Sequence, residues 1–335
     1  MTPTAASEIL KLFKQAFLVG GAVRDAVLKK QVKDLDLAVE GGPDFAARVR
    51  KLAYRLRASS FALDEERQVY RLTQRSTGLQ LDISPFQGKD LNEDLMRRDF
   101  TVNAIALPLT PGFRPVPDKK TGLFAMPAVK QADLIDPAGG WKDLKAGVIR
   151  VVGPKALTED PLRLLRAFRF SAGLGFKIEP ATLKLIKRHS ALITKSAPER
   201  IHDELLLILA SPAAAERTKE LYAAGLLTAI VPELEAQRTC AEVYYGKGGV
   251  LKHTFTVMER MDHLLEDVGA YIPEWTKISE FFVEKNILQL TALLHDVAKP
   301  PCARACFGFS ARTRWKFIAA SSHRCSLSIS TPLLK

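Results

Sequence analysis

Two aspartates one residue apart, in the run KDLDLAVE (residues 33–40), are the first residues whose types and spacing could do chemistry. Residues two apart in a strand share a face, so Asp34 and Asp36 project together while Leu35 and Leu37 point the other way, into a core. Two carboxylates held that close repel each other unless a cation lies between them. Oxygen-only donors of this kind suit Mg²⁺, which completes its octahedron with phosphate oxygens and water. Asp82 lies in LQLDIS (79–84), where Leu79, Leu81 and Ile83 form the apolar alternation and Asp82 faces away from it, as a candidate third ligand. Taken alone, a D-x-D pair more often marks a surface strand edge or a turn.

The run FLVGGAVRD (17–25) shifts that balance. Gly20 and Gly21 follow an apolar strand and open a helix, so backbone amides there can approach an anion closely, with a favourable helix dipole behind them. Arg24 falls on the first turn of that helix and faces the same region. The spacing is neither that of a Walker loop nor that of a dinucleotide-binding fingerprint. Glycines, guanidinium and paired carboxylates in this order point to a metal-bound triphosphate.

The elements that must position these groups follow from the pattern. AFLVGG reads as a strand, VRDAVLKK as a helix, KDLDLAVE as a strand and PDFAARVRKLAYRLR as an amphipathic helix. VYRLTQ and LQLDISPF read as a strand pair joined by a turn at Ser76-Thr77-Gly78. Residues 111–127 are rich in Pro and Gly and read as a loop, and from about Asp160 onward nearly everything is helical. Asp160-Pro161 is a good helix start, and Ser196-Ala-Pro-Glu199 has capping-box spacing. The expected fold class is α+β: a head with a small mixed sheet, then an all-α neck and body.

The net charge of +12 over 335 residues invites a nucleic-acid partner. Its distribution matters more than its sum: residues 297–335 hold seven Lys/Arg and no acid, leaving +5 for the rest. A second concentration, thirteen basic against five acidic residues, runs from Trp141 to Arg200. No apolar run approaches bilayer length, and MTPTAASEILKLFKQA reads as a short amphipathic helix rather than a signal peptide. A cytoplasmic protein with no membrane partner is expected. Cys302, Cys306 and His323 lack a second ligand pair at zinc-finger spacing, so the last 35 residues, 301–335, read as a disordered or atypical tail.

GGAVRD followed by DLD resembles the head signature of the class II tRNA nucleotidyltransferase and bacterial poly(A) polymerase family, the CCA-adding enzymes. EDLMRRDFTVNAIA (93–106), LIDPAGGWKDLKAGVIRVVG (134–153), EDPLRLLRAFRF (159–170) and APERIHDEL (197–205) resemble four further motifs of that family, in its order. The resemblance covers about residues 8–230. It implies a polymerase-beta-like nucleotidyltransferase head over 1–150, a neck and body over 151–235 and a partial HD-type region over 236–300. It also implies template-independent addition of C and/or A to the 3′ end of tRNA from CTP and ATP, with Mg²⁺ as cofactor.

Carried onto this sequence, the family pattern gives Asp34 and Asp36 to the metal with Asp82 as third carboxylate. Gly20, Gly21, Arg24, Arg97, Arg98, Asp99 and Asn103 would hold triphosphate and sugar. Asp160 and Arg163, three apart and expected on one helix face, would read the edge of the base, with Arg166 and Arg169 continuing the basic stripe. An intrahelical ion pair is the plainer reading of Asp160 and Arg163 without the family. Glu199 and Arg200 read as bracing.

His253, His295 and Asp296 resemble the start of an HD-type metal site. No Asp or Glu follows Asp296, so that site is expected to be incomplete and inactive. No segment like the GRRFRLAH signature of the poly(A) branch is present, and ALDEERQVYRL (62–72) is closer to the tRNA enzymes. The choice between CC-only and full CCA addition is expected to depend on a flexible loop near 64–75 and 111–127. Poly(A) polymerase, a non-catalytic RNA-binding derivative and a phosphohydrolase are the competing readings.

Overall fold

The strands Ala16–Val19 (β1), Asp34–Val39 (β2), Ser59–Asp64 (β3), Val69–Gln74 (β4), Leu79–Pro85 (β5) and Ala106–Pro108 (β6) form one mixed sheet in the order β3-β4-β5-β2-β1-β6. This is a computed structural model that describes residues 4–118, 120–272, 274 and 284–299. The chain divides into two compact units, Met1–Leu192 and Ile193–Lys335, and the sheet belongs to the first. Within the sheet β2 and β5 run parallel, and every other neighbouring pair is antiparallel.

The alternation in the sequence decides the two faces. Leu35, Leu37, Leu81 and Ile83 are at most 3% exposed, whereas Asp34, Asp36 and Asp82 lie on the opposite face and stay partly accessible. Helix Phe45–Leu56 (α3 of the chain, after Ala5–Leu10, α1, and Gly21–Val27, α2) buries Phe45, Val49, Leu52, Ala53 and Leu56, a stripe at helical spacing. It ends at Arg57 in the left-handed conformation, φ 51°.

The head motifs are stitched to one another by backbone and side-chain bonds. Asp90 caps helix Leu91–Met96 (α4) by accepting from the Glu93 N–H at 2.9 Å. Asp136 accepts from the N–H groups of Gly140 (2.7 Å) and Trp141 (2.9 Å) at the start of helix Gly140–Ala146 (α5). The Thr101 hydroxyl donates to Asp143 at 2.7 Å, and Arg150 donates to Asp143 and to Glu179. Ala106 pairs with Ile135, and Phe100 with Val151.

Three expectations need correction. Residues 64–75 are not all loop: Val69–Gln74 is a strand inside the sheet, as VYRLTQ predicts, the turn is confined to residues 65–68, and β3, which the pattern did not disclose, pairs with β4. Five of the six β3 residues are exposed, so this edge strand carries no buried alternation to reveal it. The stretch 111–127 is not all loop among the described residues, because strands Val116–Pro117 and Phe124–Ala125 pair and Val32 and Phe124 exchange backbone bonds of 2.9 and 2.8 Å. Third, Ser196 caps nothing. Helix Pro198–Leu209 has Ala197 as its cap residue with no capping side chain, and the buried Ser196 Oγ has no hydrogen-bond partner.

The second unit is helical. Asp262, buried in helix Gly249–Glu266, accepts from the Ala215 N–H and from Gln289 Nε2, both at 2.8 Å, and so joins three helices through one carboxylate. No helix among the described residues is long and apolar enough to cross a membrane.

Gly140 is the tightest backbone approach in the first unit: a Cβ there would lie 2.0 Å from the Thr101 carbonyl oxygen. Gly140→Ala should therefore destabilise the fold by on the order of 3 kcal/mol, an overpacking cost in a closely fitted segment. Denaturant unfolding of both proteins checks this, and a change below about 0.5 kcal/mol would show that α5 shifts freely.

Candidate active site

The parallel register of β2 and β5 sets Asp36 directly opposite Asp82, with Asp34 two residues earlier on the same face. Strand spacing puts such Cα atoms about 4.8 Å apart, so three carboxylates share one small area. Burial is the largest effect on Asp36. Together with the charges of Asp82 and Asp34, and against the opposing Arg98, it pushes the Asp36 carboxyl up to about 6. Asp34 Oδ1 is buried and has no hydrogen-bond partner. An orphaned carboxylate oxygen beside a carboxyl raised by burial and by its acidic neighbours is what a divalent cation would relieve. The residues present fit such an ion.

Gly20 turns the chain from β1 into α2 with φ 69° and ψ −135°, a conformation that needs glycine. A Cβ at Gly20 would lie 3.0 Å from Arg98 Nη1 and 3.3 Å from Asp36 Oδ2, so the backbone, the guanidinium and the carboxylate converge there. At Gly21 a Cβ would meet only the tip of Arg24, at 3.5 Å. Arg98 is aimed by Asp94, whose Oδ2 accepts from Arg98 Nη2 (3.0 Å) and Nε (3.3 Å). Arg97 is exposed beside it.

Four of the expected residues form one chain of hydrogen bonds. Arg24 Nη1 donates to Asn103 Oδ1 (2.9 Å), Asn103 Nδ2 donates to Asp99 Oδ1 (3.0 Å), and Arg166 donates to Asp99 Oδ2 through Nε (2.9 Å) and Nη2 (2.7 Å). Burial alone would push the Asp99 carboxyl up, but Arg166, Asn103 and the Phe100 N–H outweigh it and hold the group below the usual carboxylate range. The guanidiniums of Arg24, Arg166 and Arg169 all lie over the Phe170 ring, at 5.4, 5.2 and 4.2 Å from its centroid.

Asp160 and Arg163 depart from the expected geometry. The helix begins at Arg163 and runs to Leu174, while Asp160 is extended (φ −134°, ψ 97°), so the two do not share a helix face. Proline at 161 disfavours a helical conformation in the residue before it. Asp160 still caps the turn, accepting from the Leu162 N–H at 3.2 Å. Arg163 donates to the carbonyls of Arg97 (2.9 Å), Ala156 (3.2 Å) and Arg98 (3.4 Å), and burial pulls its guanidinium below the ordinary value.

Sequence reasoning missed Arg71, Asp94 and Phe170. Arg71 sits across from Asp82 in the β4–β5 register and donates to it twice, at 2.7 Å each. A lone Arg in VYRLTQ carries no signal until that register is known.

In the second unit, ligand atoms of His253, His295 and Asp296 lie within 4.8 Å of one another. Lys299 Nζ, 2.6 Å from Asp296 Oδ2, already supplies that carboxylate with a cation, and the Tyr245 ring stacks on His253. Cys302, Cys306 and His323 lie outside the described residues.

Residues 16–150 match the family described as poly A polymerase head domain, and residues 175–238 match "Probable RNA and SrmB-binding site of polymerase A". Residues 16–150 thus belong to the poly A polymerase head family. It is 39% identical over 216 residues to a CC-adding tRNA nucleotidyltransferase of Geobacter sulfurreducens, covering 64% of this chain and 45% of that protein. It is 37% identical over 290 residues to an A-adding tRNA nucleotidyltransferase of Deinococcus radiodurans, covering 85% and 57%. A multifunctional CCA protein of Xanthomonas campestris is 37% identical over 66% of this chain and 51% of its own length. The chain thus spans about half the length of these curated relatives.

Among solved structures, a tRNA nucleotidyltransferase complexed with a primer tRNA and an incoming ATP analog aligns with TM-score 0.63 at 27% identity, over 87% of this chain and 75% of that one. A tRNA-processing enzyme in an apo form aligns with TM-score 0.64 at 26% identity, over 96% and 77%. The mixed sheet and its following helices are those of a nucleotidyltransferase head and helical body.

The raised Asp36 carboxyl has a testable sign. Its folded form holds a proton up to about 6 against 3.8 for an ordinary aspartate. Its contribution to stability is therefore fully present below about 3.8 and is lost as pH rises to about 6, a difference of about 3 kcal/mol at neutral pH. In chelator, Asp36→Asn should melt above the wild type at pH 7.5, and the gap should close as pH falls towards 4. Calorimetry at the two pH values checks this; a gap independent of pH would contradict it.

Proposed function

We propose that this chain is a template-independent RNA nucleotidyltransferase that adds C and/or A to the 3′ end of tRNA from CTP and ATP, releasing pyrophosphate. The observation that carries the reading is the convergence of Asp34, Asp36 and Asp82 on one sheet face, with the Gly20 backbone and Arg98 against them. The family match over residues 16–150 and the relatives named as CC-adding and A-adding tRNA nucleotidyltransferases and as a multifunctional CCA protein support it.

Mg²⁺ held by Asp34 and Asp36, with Asp82 as third carboxylate, would supply charge neutralisation at the attacking and leaving oxygens. The chain's own residues supply the rest. The glycine backbone at Gly20 and Gly21 lets a triphosphate approach the carboxylate face of the sheet, and Arg98, already aimed by Asp94, meets its charge, with the exposed Arg97 at its rim. The bonded set Arg24, Asn103, Asp99 and Arg166 is fixed before any ligand arrives, so sugar and phosphate meet donors whose orientation costs little on binding. Arg169 adds positive charge beside Phe170.

In the base-reading role, the three carbonyl bonds of Arg163 account for three of the five N–H donors of its guanidinium. The two others, on Nε and Nη2, are those available to a base edge, with the Asp160 carboxylate as acceptor. A substrate pair of tRNA and nucleoside triphosphates makes the cytoplasm the compartment of this reading. The relatives include CC-adding, A-adding and multifunctional proteins, so the family likeness leaves C and A both open.

Three tRNAs test this, lacking the whole CCA end, its last two nucleotides, or only the terminal A, each incubated with Mg²⁺ and one labelled triphosphate. C on the shorter ends and A on the longest gives full CCA addition, one base alone gives a split activity, and no incorporation on any end refutes the reading. Asp36→Ala should abolish incorporation while leaving tRNA binding near wild type. Arg163→Lys should reduce discrimination against GTP and UTP roughly tenfold, the loss of part of one paired contact. An unchanged preference across the four triphosphates would remove Arg163 from base reading.

A further inference from the structure

Among the described residues Arg71 is the one strong cation in contact with two of the three carboxylates, and no motif accounts for it. It lies on β4 directly across from Asp82 on β5, on the carboxylate face, while its neighbour Leu72 is 1% exposed on the other face. Its Nε and Nη2 grip the two Asp82 oxygens at 2.7 Å each, and Nη2 is also 3.8 Å from Asp34 Oδ2. The fork locks the Asp82 carboxylate in one orientation, and the same charge reaches the strand next to it.

We propose that Arg71 is the internal counter-cation of the metal-free site. It holds the carboxylate cluster together when no ion is present and competes with a divalent ion for Asp82 and Asp34. The inference rests on the reading of these carboxylates as a metal site. Its consequence is that a metal ion alone meets a site already partly neutralised, whereas an ion arriving on a triphosphate brings the negative charge that offsets Arg71. The preferred load is therefore the metal–nucleotide complex. Arg71 acts through the carboxylates and is a positioning residue.

Electrostatics gives this proposal an unusual sign. A residue that merely braced the sheet would, when removed, weaken metal binding or leave it alone. Removal of a competing charge strengthens it.

Mn²⁺ binding to the full-length chain, followed by electron paramagnetic resonance, separates the two. Arg71→Gln should bind Mn²⁺ about tenfold more tightly than wild type in the absence of nucleotide, the effect of one charge a few ångströms from the ion. It should also melt at a lower temperature in chelator and gain more from added Mn²⁺. Arg71→Lys, which keeps the charge but not the fork, should bind Mn²⁺ near the wild-type level. With a non-hydrolysable ATP analogue present, the difference between wild type and Arg71→Gln should narrow. Equal or weaker Mn²⁺ binding by Arg71→Gln overturns the proposal while leaving the metal site standing. Mn²⁺ binding that survives in Asp36→Asn, or that is absent from the wild type even with the nucleotide analogue, overturns the metal reading and this proposal with it.

Discussion

Like charge held together is the constraint on which the first unit is organised. The parallel pairing of β2 with β5 sets Asp36 opposite Asp82 and leaves Asp34 alongside, an arrangement that repels itself. Every other feature of the sheet bears on that repulsion. Leu35, Leu37, Leu81 and Ile83 anchor the two strands from behind through buried apolar area, and Arg71 grips the outer carboxylate from the next strand. A sheet stabilised from one face can carry a costly group on the other, here the Asp36 carboxyl, which burial first and then its acidic neighbours push up to about 6.

Around the carboxylates the guanidiniums fall into two kinds. Arg24, Arg166 and Arg98 are held by carboxylates or amides behind them, so their orientation is set within the protein. Arg163 is spent largely on backbone carbonyls, where it ties the segment carrying Arg97 and Arg98 to the start of the helix Arg163–Leu174. Phe170 sits under Arg24, Arg166 and Arg169, so an aromatic ring only 8% exposed serves as the floor of a positively charged wall.

The second unit shows a related economy. Asp262 joins three helices through a single buried carboxylate, and Asp296 is met by an ammonium from its own chain turn rather than left to a pair of imidazoles alone. Asp99 in the first unit, like Asp262 and Asp296 in the second, is tolerated because specific donors answer it, as burial of charge requires.

Local pattern determined a large share of this protein. The alternation of Leu and Asp in DLDL and LQLDIS was enough to assign two strands and the facing of three carboxylates, because side-chain direction in a strand has a period of two. The two glycines after an apolar run announced the strand-to-helix turn at Gly20, because that backbone conformation excludes other residues. Tertiary structure alone decided the rest. The edge strand Ser59–Asp64 buries nothing and so leaves no trace in the pattern, the pairing of Arg71 with Asp82 exists only once the β4–β5 register is set, and Asp160 leaves the helix because Pro161 constrains it. Which residues alternate is a property of the chain, but which residues meet is settled by register and packing between segments far apart in sequence.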